Sequence, residues 1–296
     1  MPRHTDDLDP HSGTETAFVQ LAADAALHLG HAGFDLPQLP LPDPLVSWQS
    51  STAFSPLAVG GTALPMALYL TEAGTTTAIS AVDIHQGQIG DCYVLSPLGE
   101  EALWNPSAIR NMIHDNGNGT QTVTLFQDAS GHMPTYRSTA FKAVQVTVSD
   151  VFPTYAVNNG ATQDVLNGVK EIWPQVIEKA FATLAGGYAA IAYGGYPALT
   201  MEVLTGHVAH STSTVGLTEA SLKSMVAAGN MLTFDTGSGS MSYGLVAGHC
   251  YMFDGVVGTG STAAVHLLNP WGTYQPADVP VSQLSKAFVQ LDYCHL

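Results

Sequence analysis

The sequence predicts an α+β protein in which a helix-rich stretch precedes a strand-rich one. Three observations predict it. Apolar residues recur at three- and four-residue steps before Gly206, and short β-like runs parted by Gly and Ser clusters dominate after it. The 296 residues are 46% hydrophobic and 11% charged, apolar enough for one large core or two smaller ones and unlike a disordered chain. No internal repeat suggests a solenoid.

The elements follow in order. From Thr14 to Gly30, Phe18, Leu21, Ala22, Ala25 and Leu29 mark an amphipathic helix, with Glu15 in its first turn and Gly30 to stop it. Residues 31–60 carry Pro37, Pro40, Pro42, Pro44 and Pro56 and read as an extended linker, so 1–60 forms an N-terminal extension. Between Asp91 and Trp104 an apolar run allows a buried helix, Pro97 being tolerated near a first turn. Asn116-Gly117-Asn118-Gly119 is a turn signal before the alternating segments TVTLF and VQVTV, which read as a hairpin. Glu171 to Leu184 spaces Ile172, Trp173, Val176, Ile177, Ala180, Phe181 and Leu184 as a helix closed by Gly186-Gly187. A last helix spans Thr218 to Ala228, and strands are expected at Met231–Phe234, Cys250–Val257, Val265–Leu268 and Ala287–Leu291. The division is therefore 1–60, 61–206 and 207–296.

Eight Lys+Arg against 24 Asp+Glu give a net charge of −16, which excludes a basic nucleic-acid-binding surface as the main feature. The longest apolar stretch, Leu57 to Leu70, is broken by Gly60, Gly61, Thr62 and Pro65, short of the roughly 20 apolar residues of a membrane helix. The start MPRHTDDLDP is acidic and lacks an apolar run, so no secretory signal is expected and a cytoplasmic place follows, export by another route aside. Cys92, Cys250 and Cys294 are too few and too scattered for a disulfide framework or a zinc site.

A cysteine nucleophile needs a helix start to favour thiolate, a histidine to take the proton and a side-chain carbonyl to orient that histidine. Cys92 opens a helix after the turn Gln86-Gly87-Gln88-Ile89-Gly90-Asp91, where amide N–H groups and the helix dipole favour negative sulfur. Gln86, folded back by that turn, can offer its amide to an oxyanion beside the Cys92 N–H. His249 begins a strand after Gly248, whose small size leaves room for substrate, and Asn269 lies in Asn269-Pro270-Trp271-Gly272, with Trp271 placed to shield a His–Asn hydrogen bond. Taken singly each residue is ordinary: a lone cysteine at a helix start is most often a small buried hydrophobe.

Taken jointly, Gln86-Gly87-x-x-Gly90-Asp91-Cys92, Gly248-His249-x-Tyr251 and Asn269-Pro270-Trp271-Gly272 closely resemble the protease core of calpains, papain-like cysteine endopeptidases. The resemblance extends to Val82-Asp83-Ile84, to Trp173 through Tyr188 and to Leu204-Thr205-Gly206, covering about 75–296. It implies a papain-like fold, with the cleft between a helical half bearing Cys92 and a β-rich half bearing His249 and Asn269. It implies the roles nucleophile, general acid/base and orienter for those three, with Gln86 as oxyanion donor and protein or peptide as substrate.

The sequence departs from that pattern in three places. Tyr93 stands where calpains usually have tryptophan, keeping an aromatic wall. Asp83 matches a family Ca²⁺ ligand, but Ala189 replaces an expected glutamate, and 273–278 holds one carboxylate. No metal or other cofactor is therefore expected, and the reading is a compact, microbial, calcium-independent enzyme, with autoinhibition by its own extension as one expectation. The alternatives are deamidation or acyl transfer on the same triad, and an inactive peptide-binding scaffold. His28-x-x-His31 and His207-x-x-His210 have helical spacing but lack a third ligand. Cys250 is expected to be buried and pointing away from the site, and Cys294 inert.

Overall fold

The structure, a computed structural model, describes residues 58–59, 62–71, 77–159, 164–239 and 241–296. The expected first helix, His28, His31 and nearly all of the proline-rich linker lie outside them. Strands β1 (Ala58–Val59) and β2 (Thr62–Ala63) pair with each other, and β3 (Met66–Ala67) runs on toward the first lobe.

Helix α1 (Cys92–Trp104) takes the span expected of it, but Pro97 sits inside rather than in the first turn. Its missing N–H forfeits the bond to the Tyr93 carbonyl. Tertiary packing offsets this, since every residue from Tyr93 to Ala102 is buried. After α2 (Pro106–Met112) come β4 (Ile113–Asp115), β5 (Thr120–Asp128) and β6 (Phe141–Ser149), a three-stranded antiparallel sheet in the order β4-β5-β6. The Asn116–Gly119 turn joins β4 to β5, with the Gly117 N–H bonded to the Asp115 carboxylate. Alternation decides the sheet's inner face: Gln121, Val123 and Leu125 are buried while their neighbours are not.

Strands β7 (Val165–Leu166) and β8 (Val169–Glu171) pair together, and β8 also pairs with β3 in parallel. Because Glu171 belongs to that strand, α3 (Trp173–Ala185) starts two residues later than its periodicity suggests; Pro174 sits in its first turn and Gly186 caps it at φ 104°. Helices α4 (Tyr188–Ile191) and α5 (Pro197–Thr205) complete this half. Periodicity misses α5, which is buried almost throughout, Thr200 and Glu202 included.

The second half is a six-stranded antiparallel sheet of β9 (Ala209–Thr212), β10 (Asn230–Asp235), β11 (Cys250–Val257), β12 (Ala264–Leu268), β13 (Val279–Pro280) and β14 (Gln290–His295), ordered β13-β12-β11-β10-β14-β9. Helix α6 (Glu219–Ala227) starts at a capping box of Thr218 and Ser221. The strand expected at Ala287–Leu291 is shifted: Leu284–Ala287 is a short helix, α7, and β14 begins at Gln290. His207 and His210 do not share a helix face. His207 stacks on His295 after α5, and His210 lies in β9 against Tyr293.

One core cluster draws on residues from Ile79 to Leu204, and another on Leu222 to Leu291. Met201, Met231 and Cys294 form a third, small cluster between α5 and the sheet. Helix α1 packs on β10 and β11 and so forms the seam between the two halves.

Candidate active site

The turn before α1 is held from three sides. The Gln86 N–H donates to the Pro270 carbonyl (2.7 Å), the Gln88 N–H to Tyr155 (2.9 Å) and the Gly90 N–H to Ala192 (2.8 Å). Gly87 lies so close to the 155–156 backbone that a Cβ there would sit 2.1 Å from the Tyr155 oxygen. The turn thus reaches the Asn269 segment through Pro270.

Cys92 is the first residue of α1 and keeps part of its surface exposed. Its thiol lies against the backbone N–H groups of Cys250 and Tyr93, which favour thiolate, but burial outweighs them. With Asp235 and Asp91 nearby adding repulsion, the thiol is pushed up to about 12. The helix start therefore does not by itself ionise Cys92, contrary to the sequence expectation. Tyr93 packs its ring against Gly195, where a Cβ would lie 2.3 Å from the ring.

Under α1, Asp91 and Glu178 form a buried acidic pair, each fully enclosed. Glu178 accepts from the Val157 N–H and the Tyr188 hydroxyl, each at 2.8 Å. The Asp91 carboxyl is within reach of Glu178 and the Gln86 amide, yet neither of its oxygens makes a well-aligned hydrogen bond. Burial pushes both acids up, so the pair holds a proton at neutral pH. The Gln86 Nε2 donates to the Ile89 carbonyl at 2.7 Å, which commits one amide hydrogen to its own loop, and the same amide also reaches the Asp91 carboxyl.

His249 and Asn269 are brought together. His249 Nε2 is 2.9 Å from Asn269 Oδ1, and because that oxygen only accepts, the Nε2–H donates and Nδ1 carries the lone pair. Asn269 Oδ1 also accepts from the Trp271 N–H (3.0 Å), its Nδ2 donates to the Tyr274 carbonyl (3.1 Å), and its N–H donates to Gln275 Oε1 (2.8 Å). The Trp271 and Tyr251 rings flank the imidazole, both centroids 4.8 Å away. Burial lowers the His249 pKa to about 4 against the opposing Asn269 bond, so the ring is neutral at neutral pH. Its backbone is pinned by Thr236, whose Oγ1 accepts from the His249 N–H and whose N–H donates to the His249 carbonyl, both at 2.9 Å. Gly248 takes φ 61°, a left-handed conformation that glycine adopts readily.

Cys250 is buried and lies across β11 from His249 and Tyr251, as alternation requires. That face is not turned away from the site, however, because α1 covers it: Ser96 Oγ donates to the Cys250 carbonyl at 2.9 Å. Cys294 is buried and its thiol is raised to about 11, chiefly by burial.

Asp83 is enclosed, its Oδ2 accepting from the Ser80 N–H (2.6 Å) and Trp173 Nε1 (3.1 Å). Asp278 is taken by His266 at 2.6 Å, and Ala189 has no donor atom to offer in its side chain. These groups do not fit a Ca²⁺ shell, which needs six to eight oxygens around one point. Among the described residues, no cluster of three or more His, Cys, Asp or Glu side chains is arranged to hold a metal.

The model of the calpain family of cysteine proteases matches residues 67–283. The chain belongs to the calpain family. It is 29% identical to calpain-13 of Rattus norvegicus over 205 residues, 65% of this chain and 29% of that protein. It is 29% identical to calpain clp-1 of Caenorhabditis elegans over 238 residues (71% and 27%), and 30% identical to calpain-5 of Rattus norvegicus over 237 residues (66% and 34%). The chain thus spans about a third or less of these calpains. Its mixed helices and sheets fit the papain-like fold of the family.

Sequence reasoning did not find Thr236, Gln275, the Asp91–Glu178 pair as a unit, or Glu100. Thr236, Glu178 and Glu100 act through partners distant in the chain, and Gln275 through a loop bond six residues back to Asn269; no local pattern marks such pairing. Among the described residues, no hydrogen bond joins the Cys92 thiol to His249.

Proposed function

We propose that this calpain-family chain is a cysteine endopeptidase acting without Ca²⁺, with its cleft between lobes 61–206 and 207–296. The observation that supports this best is the buried His249–Asn269 hydrogen bond, set at the same seam as the helix-starting Cys92. His249 Nδ1, the free nitrogen, takes the thiol proton once substrate draws the two together. The thiolate attacks the peptide carbonyl, and the Cys92 N–H with the Gln86 amide receives the oxyanion. The imidazolium gives its proton to the leaving amine, leaving an acyl-enzyme. His249 then deprotonates water, which attacks the thioester and releases the second product and the thiol. Tyr93 and Trp271 form the aromatic walls. The extension 1–60 is assigned an autoinhibitory or docking role, and the cell compartment a cytoplasmic one.

The missing Cys92–His249 hydrogen bond favours a second reading, a latent scaffold that binds peptides without cutting them. Intact mass after incubation with the epoxide E-64, and casein cleavage, in EDTA and in Ca²⁺, separate the two. The protease reading expects one adduct and cleavage in EDTA, both lost in Cys92→Ala. No adduct in either buffer establishes the scaffold, and ammonia release without new termini would indicate deamidation.

A further inference from the structure

The Glu100 side chain leaves α1, crosses the seam and ends inside the sheet of the other lobe. It is fully buried. Its Oε2 accepts from the Leu232 N–H at 3.0 Å and its Oε1 from the Phe253 N–H, while the Trp104 side chain donates to the same carboxyl. Leu232 belongs to β10 and Phe253 to β11. The ladder between these strands runs through Asp235↔Cys250, Phe234↔Tyr251 and Thr233↔Met252 and then stops. Leu232 and Phe253 would form the next rung. The carboxylate takes that place, one oxygen for each strand.

The strands it joins are those that carry the acid/base residue. His249 immediately precedes β11, and Thr236, which pins the His249 backbone, immediately follows β10. Beside this clasp, Ser96 Oγ donates to the Cys250 carbonyl (2.9 Å), and Gly99 admits Met252 so closely that a Cβ would lie 2.1 Å from its sulfur. The helix that begins with Cys92 is thus joined to the His249 strand at three successive contacts along one face, residues 96, 99 and 100.

We infer that Glu100 is a positioning residue that clasps the nucleophile helix to the His249-bearing strands, fixing the width of the cleft by hydrogen bonds within the protein. This rests on the proposed cleft. Burial pushes the Glu100 carboxyl well up and the two N–H bonds act against that rise, so the group is matched to two donors fixed by the sheet. Glutamine at this position keeps the shape but turns an amide NH₂ toward one of those donors. Alanine removes the clasp and leaves two buried N–H groups unpaired.

The test compares wild type, Glu100→Gln, Glu100→Ala and Leu222→Ala, the last a core change in the lobe that holds β10 and β11. Two readouts are taken: amide hydrogen exchange at Leu232 and Phe253, and kcat on a peptide substrate per active site titrated with E-64. The clasp expects exchange at those two amides to quicken at least tenfold in Glu100→Gln, with kcat per site down at least tenfold, KM within threefold and Glu100→Ala worse. Leu222→Ala is expected to lower Tm while keeping kcat per titrated site. Unchanged exchange at Leu232 and Phe253 overturns the clasp. Quickened exchange with kcat per site unchanged overturns the positioning role. A wild type that neither cleaves nor labels defeats the proteolytic reading, and the exchange result still decides the clasp.

Discussion

Asn269→Ala is the most direct probe of the proposed catalytic machinery. The substitution removes the side chain that, among the described residues, accepts from the His249 Nε2–H at 2.9 Å, and with it the acceptor of the Trp271 N–H. Both donors are left without these partners. An unsatisfied buried group costs about 1–3 kcal/mol, and without Asn269 nothing selects the tautomer that leaves Nδ1 free for the thiol. If one such bond orients the ring in the transition state, about 1–3 kcal/mol at 1.36 kcal/mol per tenfold lowers kcat by roughly 5- to 150-fold. KM should hold within about threefold, because Asn269 is buried behind the imidazole and is not exposed to a peptide. The two unpaired donors, about 2–6 kcal/mol together, should lower Tm by roughly 4–24 °C, at about 2–4 °C per kcal/mol for a domain of this size. The assay is steady-state hydrolysis of a fluorogenic peptide, normalised to sites titrated with E-64, beside a thermal melt. A kcat within twofold of wild type would refute the assignment of Asn269 as the orienter, whatever the melt shows.

Three further outcomes are expected. Gly272→Ala places a Cβ 2.2 Å from the His85 ring at φ 70°, whereas Gly117→Ala has the same φ and open space. Gly117→Ala should cost only the left-handed penalty of about 1–2 kcal/mol and Gly272→Ala clearly more, read as a difference in urea midpoints. Burial raises Glu101 to about 7 and Glu202 to about 8, so their stabilisation is full below the ordinary carboxylate pKa and fades as pH rises through 7–8. His249, lowered to about 4, acts oppositely, its contribution being present above 6.5 and lost as pH falls toward 4. Between about pH 4.5 and 6.5 the two acids lose more than the one histidine gains, so Tm should peak near pH 4.5 and keep falling to pH 8.5, with Glu202→Gln flattening the decline; a Tm that climbs from pH 6 to 8.5 contradicts this. Finally, 1 mM Ca²⁺ against EDTA should leave Tm and casein cleavage unchanged. Binding at a hundred times Kd would add about 2.7 kcal/mol, a shift of several degrees that would be plain in the melt.

Much of this site was legible because its pieces are local. The turn from Gln86 to Asp91, the helix start at Cys92 and the Asn269-Pro270-Trp271-Gly272 turn each carry their geometry in a few adjacent residues. Periodicity likewise marked α3 and β11, where side chains alternate between core and seam. It failed on α5 and α7, which are short and buried or stabilised by neighbours, and on Pro97, whose cost is offset by packing that no window of sequence reveals. The ionisation of Cys92 was misjudged for a related reason. The dipole of a helix start is a local property, whereas the burial and the Asp235 charge that oppose it come from the other half of the chain. Glu100 shows the same limit: from sequence it is a charged residue on an apolar helix, and only the interrupted ladder of β10 and β11 explains it.

The contact between Tyr93 and Gly195 bears on how this protein can be altered. Residue 195 has no room for a Cβ because the Tyr93 ring lies against its backbone. The two positions, 102 residues apart in the chain, therefore form one unit: any substituent at 195 must be accommodated by a smaller side chain at 93, and any bulkier ring at 93 must find its extra volume elsewhere than over Gly195. An engineer who grafts a tryptophan beside Cys92 should vary the segment around 195 in the same library, since single exchanges at either position would be tested against a partner shaped for something else.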